Sequence, residues 1–204
     1  MINWIVDHIE AIAGAVSALV TAVALIATWL SWRRSELRRD DVHNWANEGI
    51  SALQTLRLIC GSPRMRLTAA EERARLAQLM VDTSVLVERG RLFFRNARSF
   101  DGRHLPRAYR GKRPDILDQL VVAHQIACAW PTAHADARLR MALVAEDVLR
   151  RFVTLMQAEV GRGRTASAGT RRRGDGADLA WRMQDLDPDR IALAAGGASG
   201  GSPS

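Results

Sequence analysis

The chain has 204 residues, and its 29 lysine and arginine side chains outnumber the 22 acidic ones to give a formal net charge of +7. This length leaves room for one folded domain and excludes a large multidomain enzyme. Two cysteines cannot form a disulfide-rich secreted scaffold, and we predict that Cys60 and Cys128 are free thiols.

The first element is an apolar segment over residues 11–32, which contains no charged side chain. As an α-helix it would extend roughly 33 Å, enough to cross the hydrocarbon core of a bilayer. A buried core helix would show a polar stripe, and a signal peptide would have basic leading residues where this chain has Asp7 and Glu10. We therefore predict a transmembrane helix over 11–32, preceded by a short extracytoplasmic N-terminus over 1–10.

The flanks of this segment predict its orientation. Arginines follow it at positions 33, 34, 38 and 39, and no basic residue precedes it. The positive-inside rule then predicts a single-pass protein of the inner membrane with a cytoplasmic C-terminal domain. The predicted interface anchors are Trp4, Trp29 and Trp32.

Small side chains recur on one face of the same segment, at Gly14, Ala18 and Ala22. A spacing of four places them together, and such faces allow close packing of membrane helices. The pattern predicts a homo-oligomer, although an alanine-rich composition also produces it without any packing role.

Residues 33–160 are predicted to form the cytoplasmic domain. Apolar side chains spaced by three and four predict a helix from about Ser31 to Cys60, continuous with the apolar segment and ended by the Gly-Ser-Pro sequence at 61–63. Thr68, with Glu71 three residues later, predicts a capping box at the start of a second helix that ends near Gly90.

Pro114 and Asp115 predict the start of a third helix, which Trp130-Pro131 interrupts before a fourth helix that extends to about Val160. Four helices and no strand-like alternation predict an all-α bundle. Residues 161–204 are rich in Gly, Ser, Ala and Arg and predict a disordered tail, although the segment around Trp181 and Ile191 would suit a short helix.

A basic loop over residues 89–113 separates the second and third helices, with nine basic residues against one acid. Such an excess predicts binding of phosphates, either of RNA or of anionic lipid. The alternative is that arginines merely solvate a long connector. The candidate phosphate-binding residues are Arg89, Arg91, Arg95, Arg103, Arg107, Arg110, Lys112 and Arg113.

Catalytic signatures are sparse, and we predict no cofactor and no metal site. His124 and Cys128 share a helical face, but two side chains are too few for a metal, and both lie on the apolar stripe. Arg98 and His104 form the spacing that some helical ribonucleases use, with histidine as general acid or base and arginine as phosphate stabiliser. With 28 arginines in the chain, such spacings also arise by chance.

A resemblance is visible in the segment VERGRLFFRN at 87–96, followed by AYRG at 108–111 and RPDILD at 113–118. Together with the N-terminal apolar segment, it resembles small single-pass proteins encoded beside bacterial antiphage defence genes, in particular the membrane accessory protein of type VI-B CRISPR systems. The resemblance implies a HEPN-like helical domain, oligomerisation, a defence effector protein as partner and an effect on envelope permeability during infection. It would map an Arg–His motif onto Arg98 and His104.

Three functions follow as hypotheses. The first is a self-assembling accessory or effector protein of antiphage defence that alters membrane integrity. The second is an enzyme, a tethered HEPN-like ribonuclease. The third is a tether whose basic loop binds nucleic acid or anionic lipid.

Overall fold

The computed structural model contains six α-helices and a short 3₁₀ turn among the residues that it describes. It describes residues 2–61, 67–97, 104, 106, 109–160, 176 and 178–199, and in 2–16, 18, 31–39, 160 and 197–199 only the helical backbone. The helices are α1 (Ile2–Gly61), α2 (Ala69–Phe93), α3 (Asp115–Ala129), α4 (Ala135–Val160), α5 (Leu179–Gln184) and α6 (Pro188–Ser199). Residues Met1–Asp41 form one compact unit and Val42–Ser204 another. The described residues contain an isolated β-bridge but no strand, so the predicted all-α class is confirmed.

The predicted membrane span is corrected by the structure. Within the part of the chain that is described, no helix has the apolar length needed to cross a membrane. This finding overturns the predicted transmembrane helix over 11–32 and the predicted single-pass location in the inner membrane.

The start of α2 confirms the predicted capping box. The Thr68 hydroxyl accepts a hydrogen bond from the backbone N–H of Glu71 at 3.2 Å, and the Glu71 carboxylate accepts one from the backbone N–H of Thr68 at 2.8 Å. The predicted end at Gly90 is wrong, since α2 continues to Phe93. A Cβ atom at Gly90 would lie 2.4 Å from Leu117 and 2.9 Å from Trp45, so this position requires glycine for close packing inside the helix.

The core of the second unit is centred on Trp45, which is fully buried. Its ring lies 5.4 Å from that of Phe94 and 5.6 Å from that of Phe152, in tilted arrangements that favour aromatic pairs. Its indole N–H donates to the carbonyl oxygen of Leu86 at 2.9 Å, which satisfies the one polar group of the ring. Most of α3 is buried, and it packs against α2, α4 and α5.

The C-terminal region also differs from the prediction. Residues 179–199 form α5 and α6 where the sequence predicted a disordered tail, and α5 begins at Asp178, whose carboxylate caps the N–H of Trp181. Leu179 and Leu186 are buried against the bundle. Arg190 pairs with Asp147 of α4 through two hydrogen bonds of 2.9 and 3.1 Å, which fixes α6 to the domain. The remainder of the predicted tail, 161–175, 177 and 200–204, lies outside the described residues.

Candidate functional site

The connector between α2 and α3 is held against the core by its aromatic residues. Phe94 is buried, and Phe93 packs against the core with its ring 6.3 Å from that of Trp45. Ala97 and Lys112 exchange backbone hydrogen bonds of 2.8 and 3.2 Å, which brings the two ends of the connector together. These hydrogen bonds therefore define the two ends of the connector.

A polar network lies under this connector. Arg91 of α2 bonds Glu88 at 3.2 Å, and its guanidinium stacks 4.6 Å from the centre of the Tyr109 ring. The Tyr109 hydroxyl donates to the other oxygen of Glu88 at 3.0 Å, which raises the pKa of Tyr109. Arg113 lies 3.5 Å from the carboxylate of Asp118 on α3. Tyr109 thus links the connector to α2 by a hydrogen bond, and Arg113 links it to α3 by an ion pair.

Burial governs the ionisation of its inner pair. The side chain of Asp118 is only 4% exposed, and burial raises its pKa to about 6, although the Arg113 guanidinium acts to lower it. Burial likewise lowers the pKa of Arg113. The Nε atom of Arg113 has no hydrogen-bond partner among the described residues. A carboxyl with this pKa can exchange a proton near neutral pH, but its burial keeps it from a ligand in solvent.

The eight predicted phosphate-binding residues do not form one cationic surface. Arg91 and Arg113 point into the network above, and Arg89 forms an ion pair with Glu48 of α1. Arg95, Arg110 and Lys112 are exposed, and Arg103 and Arg107 lie outside the described residues. Arg89, Arg91 and Arg113 thus pair with carboxylates of the chain itself. Phosphate binding by the other five residues stays a prediction.

The predicted catalytic pair is not brought together on a described surface. His104 lies in an exposed turn, and Arg98 lies outside the described residues. The histidine of α3, His124, places its Nδ1 atom 3.1 Å from the carbonyl oxygen of Met80 and 3.2 Å from the Thr83 hydroxyl. Because a carbonyl only accepts, Nδ1 carries the hydrogen, and His124 links α2 to α3.

The described side chains contain no group of three histidine, cysteine or acidic residues that would hold a metal ion. Cys128 lies 3.2 Å from the sulfur atom of Met80 and is exposed. Burial raises the pKa of Cys60 to about 12, so this thiol is protonated and unreactive at neutral pH. Both cysteines are free thiols, as predicted.

A second buried network was not predicted from the sequence. Arg151 of α4 donates to one oxygen of Asp115 from Nε at 2.9 Å and from Nη2 at 2.6 Å. Gln119 donates to the other oxygen at 2.5 Å and accepts from Arg182 of α5 at 2.8 Å. Asp115 was predicted only as a favourable charge at a helix start. Its ion-pair partner Arg151 lies 36 positions away, so no local pattern predicts the pair.

An open groove with a volume of about 510 Å³ runs between α1 and α2 within the second unit. Its lining is mixed, and it includes the charged side chains of Glu48, Arg75 and Asp82 beside Leu79 and Val85. It contains no histidine or cysteine among its lining residues. The lining thus offers hydrogen-bonding groups and side chains of both charges.

The most unusual surface is the apolar segment of α1. Its large side chains are exposed at Leu19 by 66%, at Val23 by 58%, at Ile26 by 58% and at Leu30 by 41%. Exposed apolar stretches of this extent mark interaction sites in soluble and membrane-associated proteins alike. Of the residues predicted for helix packing and interface anchoring, Ala22 and Trp29 are exposed, while Trp4, Gly14, Ala18 and Trp32 lie outside the described side chains.

Comparison with protein-family models, with curated proteins and with solved structures found no match to this chain.

Proposed function

We propose that this chain is a self-assembling accessory or effector protein of antiphage defence, in which α1 associates with other copies and the helical domain supplies contacts to the defence machinery. The observation that carries the proposal is the exposed apolar segment of α1, with Leu19, Val23, Ile26 and Leu30 in contact with solvent. The resemblance of the connector sequence to accessory proteins of defence systems supplies the biological setting.

Association is favoured by burial of the exposed apolar side chains of α1. Burial of a leucine, isoleucine or valine side chain is worth about 1.5–3 kcal/mol relative to exposure, so four of them contribute roughly 6–12 kcal/mol per helix, which is of the same order as the cost of lost motional freedom on association. A protein that acts by assembly depends on such a surface.

The ion pairs of the second unit support an interaction role as well. Arg91 and Arg113 pair with Glu88 and Asp118 within the chain, at the two ends of the connector. Ends that are already held in place suit recognition of a partner protein or of RNA, because their side chains lose little conformational freedom on binding.

The proposal is tested by infection of bacteria that express the full chain together with its native neighbouring genes. We expect the wild-type protein to reduce plaque formation and the Val23→Lys variant to lose this protection, because a lysine opposes burial of the α1 surface. His104→Ala should protect as well as the wild type. Full protection by Val23→Lys would refute the proposal, and loss of protection in His104→Ala would favour a ribonuclease instead.

A further inference from the structure

Nine of the twelve isoleucine, leucine and valine residues in 2–30 of α1 lie at two positions of a heptad repeat, although other apolar residues, among them Val20, Leu25 and Trp29, lie elsewhere around the helix. With Ile2 at position a, every a and d position as far as residue 30 holds isoleucine, valine or leucine. The a positions are Ile2, Ile9, Val16, Val23 and Leu30, and the d positions are Ile5, Ile12, Leu19 and Ile26. Four consecutive heptads of this kind are typical of helices that supercoil around one another.

The opposite face of the helix has a different composition. The f positions hold Asp7, Gly14, Thr21, Thr28 and Ser35. In the structure the hydroxyls of Thr21 and Thr28 each donate at 2.8 Å to the carbonyl oxygen four residues earlier. These polar groups are satisfied within their own helix, so the f face requires no partner.

We infer that α1 assembles with α1 of two or three further copies of this chain along the a/d seam over residues 2–30. This inference rests on the self-assembly in the proposed function and specifies its surface and copy number. The side chains that would form the seam over the described part of this segment, at positions 19, 23, 26 and 30, are all exposed in the single chain. The seam ends where Arg33 takes the next d position.

The copy number follows from side-chain shape and from the width of the apolar stripe. Three of the four heptads have isoleucine at d, two of them with isoleucine also at a, which favours three or four helices over two, whereas the pair Val16 and Leu19 is the combination typical of two. The e positions Val6, Ala13, Val20 and Ala27 are also apolar, which widens the stripe beyond the narrow seam of a two-stranded coil. A second copy of the same helix is the natural occupant, because the heptad pattern is complementary to itself.

The seam differs from the face of small residues that the sequence analysis singled out. Gly14, Ala18 and Ala22 occupy positions f, c and g, and so lie beside or opposite the seam. The two faces therefore make different predictions for substitutions in the same segment.

Leu19 and Leu25 provide a matched pair for the test. Both are leucines of the same helix and both are 66% exposed, but Leu19 is at d and Leu25 is at c. Sedimentation equilibrium of the purified full chain should give the mass of three or four copies. We expect Leu19→Lys to weaken self-association at least about tenfold and Leu25→Lys to leave it within about threefold of the wild type.

Thermal unfolding followed by near-UV circular dichroism, to which the buried Trp45 and Trp130 contribute, shows whether each variant retains a folded second unit. Val23→Asn at an a position serves as a second seam variant and should also weaken association. A monomeric wild-type chain would overturn both this inference and the self-assembly in the proposed function. A wild-type oligomer that Leu25→Lys disrupts as strongly as Leu19→Lys would overturn the seam alone and leave the proposed function standing.

Discussion

Two adjacent arginines of α4 allow a sharp test of the buried network. Arg151 donates two hydrogen bonds to Asp115, whose side chain is 12% exposed, whereas Arg150 pairs with Glu146 one turn earlier and is itself 69% exposed. Arg151→Met removes both donors and leaves the Asp115 carboxylate with Gln119 as its remaining partner in this network. Loss of one partner of a buried pair costs about 3–5 kcal/mol, and we expect about 2–3 kcal/mol here because Arg151 is 39% exposed.

Arg150→Met is the matched control, since it makes the same substitution at the next position of the same helix. An exposed pair spaced by four residues contributes about 0.3–0.5 kcal/mol, so this variant should be nearly as stable as the wild type. Urea unfolding measures the difference. With a slope of about 2 kcal/mol per molar, the midpoint should fall by about 1 M for Arg151→Met and by less than about 0.3 M for Arg150→Met.

A double variant identifies the cause of the loss. If the cost arises from an unpaired buried carboxylate, Asp115→Asn combined with Arg151→Met should recover about half of the lost stability. Equal effects of the two arginine variants would refute the reasoning, as would a double variant no more stable than Arg151→Met alone.

Three further predictions concern stability. Gly90→Ala should destabilise the domain by about 1–2 kcal/mol in urea unfolding, because overpacking exceeds the gain in helix propensity. Gly196→Ala adds a carbon with no atom near it and should be neutral or stabilising. Leu186→Ala should cost about 2 kcal/mol if the C-terminal helices are docked, and Leu193→Ala, 80% exposed, should cost almost nothing; equal effects would contradict docking. Burial raises the pKa of Asp118 from 3.8 to about 6, so its contribution to stability is complete below pH 3.8 and is lost as the pH rises through about 6. Relative to the wild type, Asp118→Asn should therefore gain up to about 3 kcal/mol between pH 4 and pH 7 in urea unfolding, and a difference independent of pH would contradict this assignment.

Local features of the fold could be read from the sequence. The capping box of Thr68 and Glu71 and the helix start at Asp115 depend on residues within one turn, so their patterns are visible without tertiary information. The end of α2 could not be predicted in this way. Gly90 normally signals a helix end, but here it is required by Trp45 and Leu117, which approach it from other helices.

The C-terminal helices and the apolar segment illustrate two further limits. A composition rich in Gly, Ser and Arg predicts disorder, yet Arg182 and Arg190 find partners on α3 and α4 that no local pattern reveals. Hydropathy over residues 11–32 measures only how apolar the segment is. It does not identify the surface that packs against the segment. That surface is predicted instead from the heptad positions of the residues.

The candidate site was predictable in composition but not in arrangement. The sequence identifies the basic connector, because charges can be counted. It does not show that Arg91 and Arg113 point inward to Glu88 and Asp118, since ion pairs between helices depend on packing. The predicted cationic surface is therefore smaller than the count of basic residues indicates.

The central claim is that the chain assembles through α1, and the mass of the intact protein in solution tests it most directly. Native mass spectrometry of the full-length chain should show a complex of three or four copies as the main species. A spectrum in which the monomer remains the main species at the highest concentration measured would contradict the account.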